Sequence, residues 1–212
     1  MERRPLKVRG SEWAKALARL IAKKNITPNQ ISLMSVAFSA AALFFFYFSR
    51  YAPLSLLFAA AAIQLRALCN LFDGMVAVEH GKKTKSGEVF NDVPDRFSDL
   101  LTIVGVGLAL PHLQFAWTLA WFAVAMAIMT AYVRVLGASL LGEHDFIGPM
   151  AKQHRFFVIT VAAIVDYVNG SLFFFPHGGA LYLALWILAL GSTFTVFRRL
   201  HRIVKKLEER PW

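Results

Sequence analysis

Six long apolar runs, at 31–51, 54–78, 97–110, 115–141, 156–168 and 181–197, decide what this chain can become. A bilayer core about 30 Å thick takes about 20 helical residues to cross. The third and fifth runs fall short of that, and reach it only by extending back through Val89 and Phe90 and forward through 172–175. Lipid offers no partner to an open backbone, and period-two alternation is absent, so helices are expected rather than a barrel. Only 17% of residues are charged and 57% are apolar, where soluble domains carry roughly 25% charge. With a mean hydropathy of +0.52, the composition excludes a soluble domain, a disordered chain and a collagen-like chain. One cysteine, Cys69, excludes an internal disulfide framework and a paired CxxC metal or redox motif. The expected fold is an all-α integral membrane bundle of six transmembrane helices.

The formal charge of +10 is carried between the apolar runs. That placement points to anionic lipid head groups and not to nucleic acid. Arg3, Arg4, Lys7, Arg9, Lys15, Arg19, Lys23 and Lys24 precede the first run, and Lys82, Lys83 and Lys85 join the second to the third. Lys152 and Arg155 lie between the fourth and fifth, and Arg198, Arg199, Arg202, Lys205, Lys206 and Arg210 follow the sixth. The alternate connections hold only Arg50. The asymmetry predicts a multi-pass protein of the cell inner (cytoplasmic) membrane with both termini in the cytoplasm.

The run at 31 is too deep and too long for a signal peptide. Before it, Ser11 is an expected N-cap for a helix with Trp13, Leu17, Leu20 and Ile21 on one face and Lys15, Arg19 and Lys23 toward the other. That pattern suits an amphipathic helix lying in the membrane interface. Topogenic charge alone is the simpler alternative. The tail repeats the pattern, with Leu200, Ile203, Val204 and Leu207 opposite Arg199, Arg202 and Lys206. Three regions result: an interfacial segment at 1–30, a six-helix transmembrane domain at 31–197 and a basic tail at 198–212.

Ionisable side chains cost roughly 2.5–3.5 kcal/mol at a bilayer centre, so an intramembrane cluster needs a reason. At about 100° per residue, Asn70, Asp73 and Ala77 share a narrow face of the second span. Asn91, Asp92, Asp95 and Asp99 fall within about 100° of arc on the third. The short loop between these spans predicts antiparallel neighbours whose polar faces meet near the cytoplasmic surface. An all-oxygen set of this kind suits a hard divalent cation, Mg²⁺ or Mn²⁺. Gly74, Ala77 and Gly87 leave room beside it, and the loop lysines add positive potential, which together suit a phosphorylated substrate. Interhelical hydrogen bonding is the simpler alternative, but it accounts poorly for six polar residues on facing stripes. A transport pathway would spread its polar residues across the bilayer instead of clustering them near one face.

The same stretch resembles the signature of the CDP-alcohol phosphatidyltransferase family, D-x2-D-G-x2-A-R-x8-G-x3-D-x3-D. All of its spacings are kept between 70 and 95, with Asp73, Gly74, Ala77, Gly87 and Asp95 identical. Asn70, Val78 and Asn91 stand where the family has Asp, Arg and Asp. The approach to the first span, Thr27-Pro28-Asn29-Gln30-Ile31-Ser32, also looks like the family. The resemblance implies a two-metal site with Asn70, Asp73, Asn91 and Asp95 at the liganding positions and Asp95 as general base. It implies that Asn70, Asp73, Gly74, Ala77 and Gly87 bind the CDP moiety of a lipid donor such as CDP-diacylglycerol. An acceptor alcohol would then displace CMP, and the enzyme would work as a homodimer.

The two carboxamides remove two negative charges from that ligand set, with Asp92 and Asp99 as further ligand candidates on the same stripe. Arg66 or Lys82 is the expected replacement for the guanidinium that Val78 lacks. Pro94 predicts either a helix start near Asn91 or Asp92, or a kink beside the site. Arg134, Lys152 and Arg155 are candidate contacts to the acceptor, and Asp166 with Asn169 an interfacial cap. A catalytically silent lipid- and nucleotide-binding homologue is the alternative, and a small transporter the more distant one.

Overall fold

Thr27 starts the first long helix. Its hydroxyl accepts from the Gln30 backbone N–H at 3.3 Å, while the Gln30 carboxamide accepts from the Thr27 N–H at 2.9 Å. Pro28 stands at the first helical position, where its missing N–H costs nothing. This reciprocal cap starts the helix three residues ahead of the apolar run.

The computed structural model describes residues 10–24, 26–79, 81, 85–142, 146–172 and 178–209. Seven helices appear among them: α1 Glu12–Lys23, α2 Pro28–Phe48, α3 Ser55–Glu79, α4 Gly87–Ala109, α5 Ala116–Leu141, α6 Lys152–Leu172 and α7 Gly179–Glu208. There is no strand among the described residues. Arg3, Arg4, Lys7, Arg9, Lys82, Lys83, Arg210 and residues 173–175 lie outside them. Four helices, α2, α3, α5 and α7, are long and apolar enough to cross a membrane. The other two, α4 and α6, have 23 and 21 residues, which is length enough, but they carry the polar residues of the site.

Two boundaries differ from expectation. Gly87 begins α4, so Pro94 sits inside the helix and is not near its start. The Arg96 side chain donates from Nε to the Asp92 carbonyl at 3.2 Å, one turn back. At the other end of the chain, α7 continues unbroken from 179 through the basic tail to Glu208. Ile203 is buried there against Val133 and Val196.

The backbones of α3 and α4 are not closely packed, but their polar faces meet as expected: Arg66 of α3 lies 2.6 Å from Asp99 and donates to Thr102 of α4. Both helices pack extensively on α2, while α6 packs on α3 and α5 packs on α4 and α7. Small residues set the close crossings. A Cβ at Gly105 would sit 2.8 Å from the Leu43 Cα, and one at Gly107 would sit 2.7 Å from the Ala120 Cβ. The amphipathic face of α1 divides in two. Ala14 and Ala18 are buried near Phe72 and Met75 of α3, whereas Trp13, Leu17 and Leu20 stay exposed.

At the end of the bundle away from α1, Asp166 of α6 caps α7. Its carboxylate accepts from the backbone N–H groups of Ala180 at 3.0 Å and Leu181 at 2.8 Å. The cap expected of Asp166 is thus served to a neighbouring helix. Asp166→Ala strands both N–H groups in a buried position and removes an anion from the positive end of a helix. We expect a loss of about 1–3 kcal/mol, read as a lower melting temperature in detergent with the melting of an exposed-face control unchanged.

Candidate active site

Alternating helix direction brings six segments to one end of the bundle: the start of α2, the end of α3, the start of α4, the end of α5, the start of α6 and the later half of α7. Each contributes a polar side chain, so the site is assembled from residues up to 167 positions apart, Ser32 to Arg199.

Asp73 of α3 is 5% exposed and accepts from the Ser32 hydroxyl at 2.8 Å. Asp95 of α4, also 5% exposed, accepts from the Lys152 ammonium of α6. Its second oxygen lies 3.8 Å from Arg96. Lys152 and Asp95 both stand close enough to Asp73 to interact with it electrostatically. Asp73, Lys152 and Asp95 therefore form one charge cluster across the gap between α3 and α4. Asn70 is half-buried on α3, with its Nδ2 buried and lacking an acceptor. Asn91 is half-buried at the cavity wall, and Gly74, Ala77 and Gly87 are half-buried too.

One turn further along α4 the chemistry changes. Asp99 has one oxygen 2.6 Å from Arg66 Nη2 and the other 2.6 Å from Arg155 Nη2. All three side chains are at most 3% exposed. The Arg66 guanidinium also lies 4.0 Å above the Phe156 ring and donates to Thr102 at 3.3 Å. Arg155 donates to the Met150 carbonyl at 3.0 Å.

Three candidates therefore have partners inside the protein. Asp99, expected as a further metal ligand, has both oxygens taken by guanidinium groups. Arg66 is held in that clamp and not beside Val78, which is exposed. Arg155, an expected acceptor contact, lines the adjoining cavity while its guanidinium holds Asp99 and the Met150 carbonyl. Lys82, the other expected substitute, lies outside the described residues.

Beside the charge cluster opens a cavity of about 170 Å³, lined by Asn91, Asp92, Asp95, Arg96, Arg134, Lys152 and Arg199 among others. Arg134 faces it and holds both oxygens of Asp92, at 2.9 and 3.1 Å. Arg199 is 5% exposed and donates to the Ile147 carbonyl at 2.8 Å. Sequence reading set Arg199 on the polar face of a tail. In helical projection it stands only about 40° from Ile203, a position that already borders the buried face. Ser32 and Arg66 were missed as partners because nothing local links them to Asp73 and Asp99.

Among the described residues, no three His, Cys, Asp or Glu side chains converge tightly enough to cage a metal ion. At the four positions that the resemblance implies as ligands stand two carboxylates, Asp73 and Asp95, and two carboxamides, Asn70 and Asn91. Exchanging the O and N assignments of the unpartnered Asn70 amide puts an oxygen where its buried Nδ2 now lies.

A family model described as CDP-alcohol phosphatidyltransferase matches residues 25–197. An uncharacterized protein of Aquifex aeolicus (strain VF5) is 30% identical over 207 residues, spanning 97% of this chain and 96% of that one. The phosphatidylinositol phosphate synthase of Mycobacterium tuberculosis (strain ATCC 25618 / H37Rv) is 27% identical over 194 residues, 88% of this chain and 83% of that one. A crystal structure of the Mycobacterium tuberculosis phosphatidylinositol phosphate synthase with CDP-DAG bound shares the fold, with a TM-score of 0.75 and 22% identity over 91% of this chain and 94% of the other. The same synthase in complex with manganese and citrate gives a TM-score of 0.75 at 22% identity, covering 90% and 88%.

Proposed function

Since the chain belongs to the CDP-alcohol phosphatidyltransferase family, we propose that it transfers the substituted phosphate of a CDP-linked lipid, such as CDP-diacylglycerol, to an alcohol in phospholipid synthesis. The observation that carries this reading is the Asp95–Lys152 pair, which lines a cation-rich cavity at one end of the bundle. All six long helices cross the inner membrane on this reading. The site end faces the cytoplasm, because the far end holds only Arg50 among the connecting cations. The exposed Trp13, Leu17 and Leu20 of α1 lie in the inner leaflet among anionic lipids. A homodimer is the assembly the family resemblance supports.

Asp95 accepts the proton of the acceptor hydroxyl on the oxygen that faces away from Lys152. The freed alkoxide attacks the lipid-side phosphorus, the bond from that phosphorus to the bridging oxygen breaks, and CMP leaves. A divalent cation, Mg²⁺ or Mn²⁺, held by Asn70, Asp73, Asn91 and Asp95 would neutralise charge on the diphosphate. Gly74, Ala77 and Gly87 leave the gap that the CDP moiety fills. Val78 contributes no guanidinium there.

The acceptor we propose is a phosphorylated alcohol. Arg134 faces the cavity with a planar donor fork suited to a phosphate, Asp92 releases it when that phosphate arrives, and Arg199, bonded to the Ile147 and Thr130 carbonyls, holds the wall beside it. Asp95 and Lys152 both line this pocket, which places the acceptor hydroxyl beside its base. CMP release from CDP-diacylglycerol is the test, with glycerol phosphate and inositol phosphate set against glycerol, inositol, serine and choline. Release with the phosphorylated acceptors alone supports the assignment. Release with the unphosphorylated alcohols alone overturns it, and no release favours the silent homologue that Asn70, Asn91 and Val78 suggest. Arg134→Ala should raise the acceptor KM about ten- to hundredfold, the worth of a hydrogen bond to a charged group, and leave the donor KM within a few fold.

A further inference from the structure

We infer that Ser32 is a positioning residue for the transfer, its hydroxyl fixing the Asp73 carboxylate and keeping it from swinging onto Lys152. The inference rests on the transferase reading above and adds to it a side chain that touches no reacting atom. Three serines, Ser32, Ser35 and Ser39, share one buried face of α2. A serine inside a helix ordinarily returns its proton to a carbonyl of its own preceding turn. Ser35 and Ser39 do so, donating to the Ser32 and Ser35 carbonyls at 2.6 and 2.7 Å. Ser32 departs from that pattern. Its own-helix acceptor, the Pro28 carbonyl, is 3.2 Å away, whereas Asp73 Oδ2 on α3 lies at 2.8 Å. A hydroxyl has one proton to give, and the nearer, charged acceptor takes it.

Packing on either side makes that bond a fixed one. Ile31 and Phe72, each the residue before a member of the pair, are buried in one apolar cluster with Met75 and Val76. The Thr27 cap sets the start of α2 just ahead of Ser32. Lys152 bonds Asp95 and attracts Asp73 electrostatically. Without its tether, Asp73 closes on the ammonium that already serves Asp95. Ser32 opposes that pull from the α2 side, and so keeps the two carboxylates apart where the diphosphate of the donor enters with its cation. A group that orients a liganding carboxylate is worth about 10- to 100-fold in metal affinity or activity.

Manganese binding to the purified full-length protein in lipid nanodiscs, read by electron paramagnetic resonance without substrates, is independent of turnover. Ser32→Ala should raise the Mn²⁺ Kd about ten- to hundredfold. Ser32→Cys, close in size but a weak donor, should show the same loss and carries the test if the alanine variant does not fold. Ser35→Ala deletes a buried hydroxyl of the same face that is bonded to its own helix, and should keep the wild-type Kd. In turnover, the Ser32 variants should raise the donor KM in step with the Mn²⁺ Kd and leave the acceptor KM unchanged. An unchanged Mn²⁺ Kd in the Ser32 variants overturns the proposal. An equal rise in Ser35→Ala overturns it too, by making the loss one of helix packing. CMP release by the wild type separates the two readings. Release with an unchanged Kd in the Ser32 variants sinks the Ser32 assignment alone, whereas no release with any acceptor or metal sinks the transferase reading and this inference with it.

Discussion

Asp95→Asn should lower kcat for CMP release by about 10²- to 10⁴-fold, the usual contribution of a positioned general base. The substitution keeps the shape of the side chain and an oxygen that Lys152 can bond, and removes the negative charge together with the ability to take a proton. The chief complication is that Lys152 loses its anion, and its side chain is only 24% exposed. A melting curve therefore accompanies the kinetics. A kcat within threefold of wild type, at unchanged melting temperature, removes Asp95 from the role of base and leaves it a structural partner of Lys152.

The parts of the molecule that follow from local chemistry were readable in the sequence. Apolar runs located the long helices, and the 70–95 spacing located the polar faces of α3 and α4. Asp166 was legible as a cap because an acid near the end of an apolar run has few other uses. Partners distant along the chain were not legible. Whether Asp99 binds a metal or an arginine depends on what α3 and α6 place opposite it, and period and spacing within α4 carry no information about that. The same limit hid how α3 and α4 meet. Their backbones pack mainly on α2, drawn close to α4 by small residues, and the two polar faces reach each other through the long Arg66 side chain. Arg199 shows a third kind of failure. Positive charge after a span ordinarily marks topology, and only the burial of Ile203 one turn later reveals that this arginine faces inward.

Asp99→Asn should cost about 3–5 kcal/mol, the penalty for stranding a buried charge by removing its partner. Two guanidinium groups depend on this one carboxylate, and neither can reach solvent at 1% and 3% side-chain exposure. Each also has an Nε with no acceptor, so the clamp has no reserve of hydrogen bonds to fall back on. Against a total stability of about 5–15 kcal/mol, the loss should lower the melting temperature by about 6–20 °C for a chain of this size. Breaking the clamp and replacing it are different experiments. The triple change Arg66→Met, Asp99→Leu, Arg155→Met removes all three charges together and should recover most of the melting temperature, because buried ion groups are seldom better than apolar residues of similar volume. Turnover should not recover with it. Asp95 lies one turn from Asp99, Arg66 approaches the Asp95 carbonyl at 3.5 Å, and Arg155 shares a turn of α6 with Lys152. The clamp thus fixes both members of the Asp95–Lys152 pair from beneath. A triple variant that regains stability and full kcat would show that the clamp only holds the bundle together. One that regains stability with kcat still depressed would assign it the task of aiming the base.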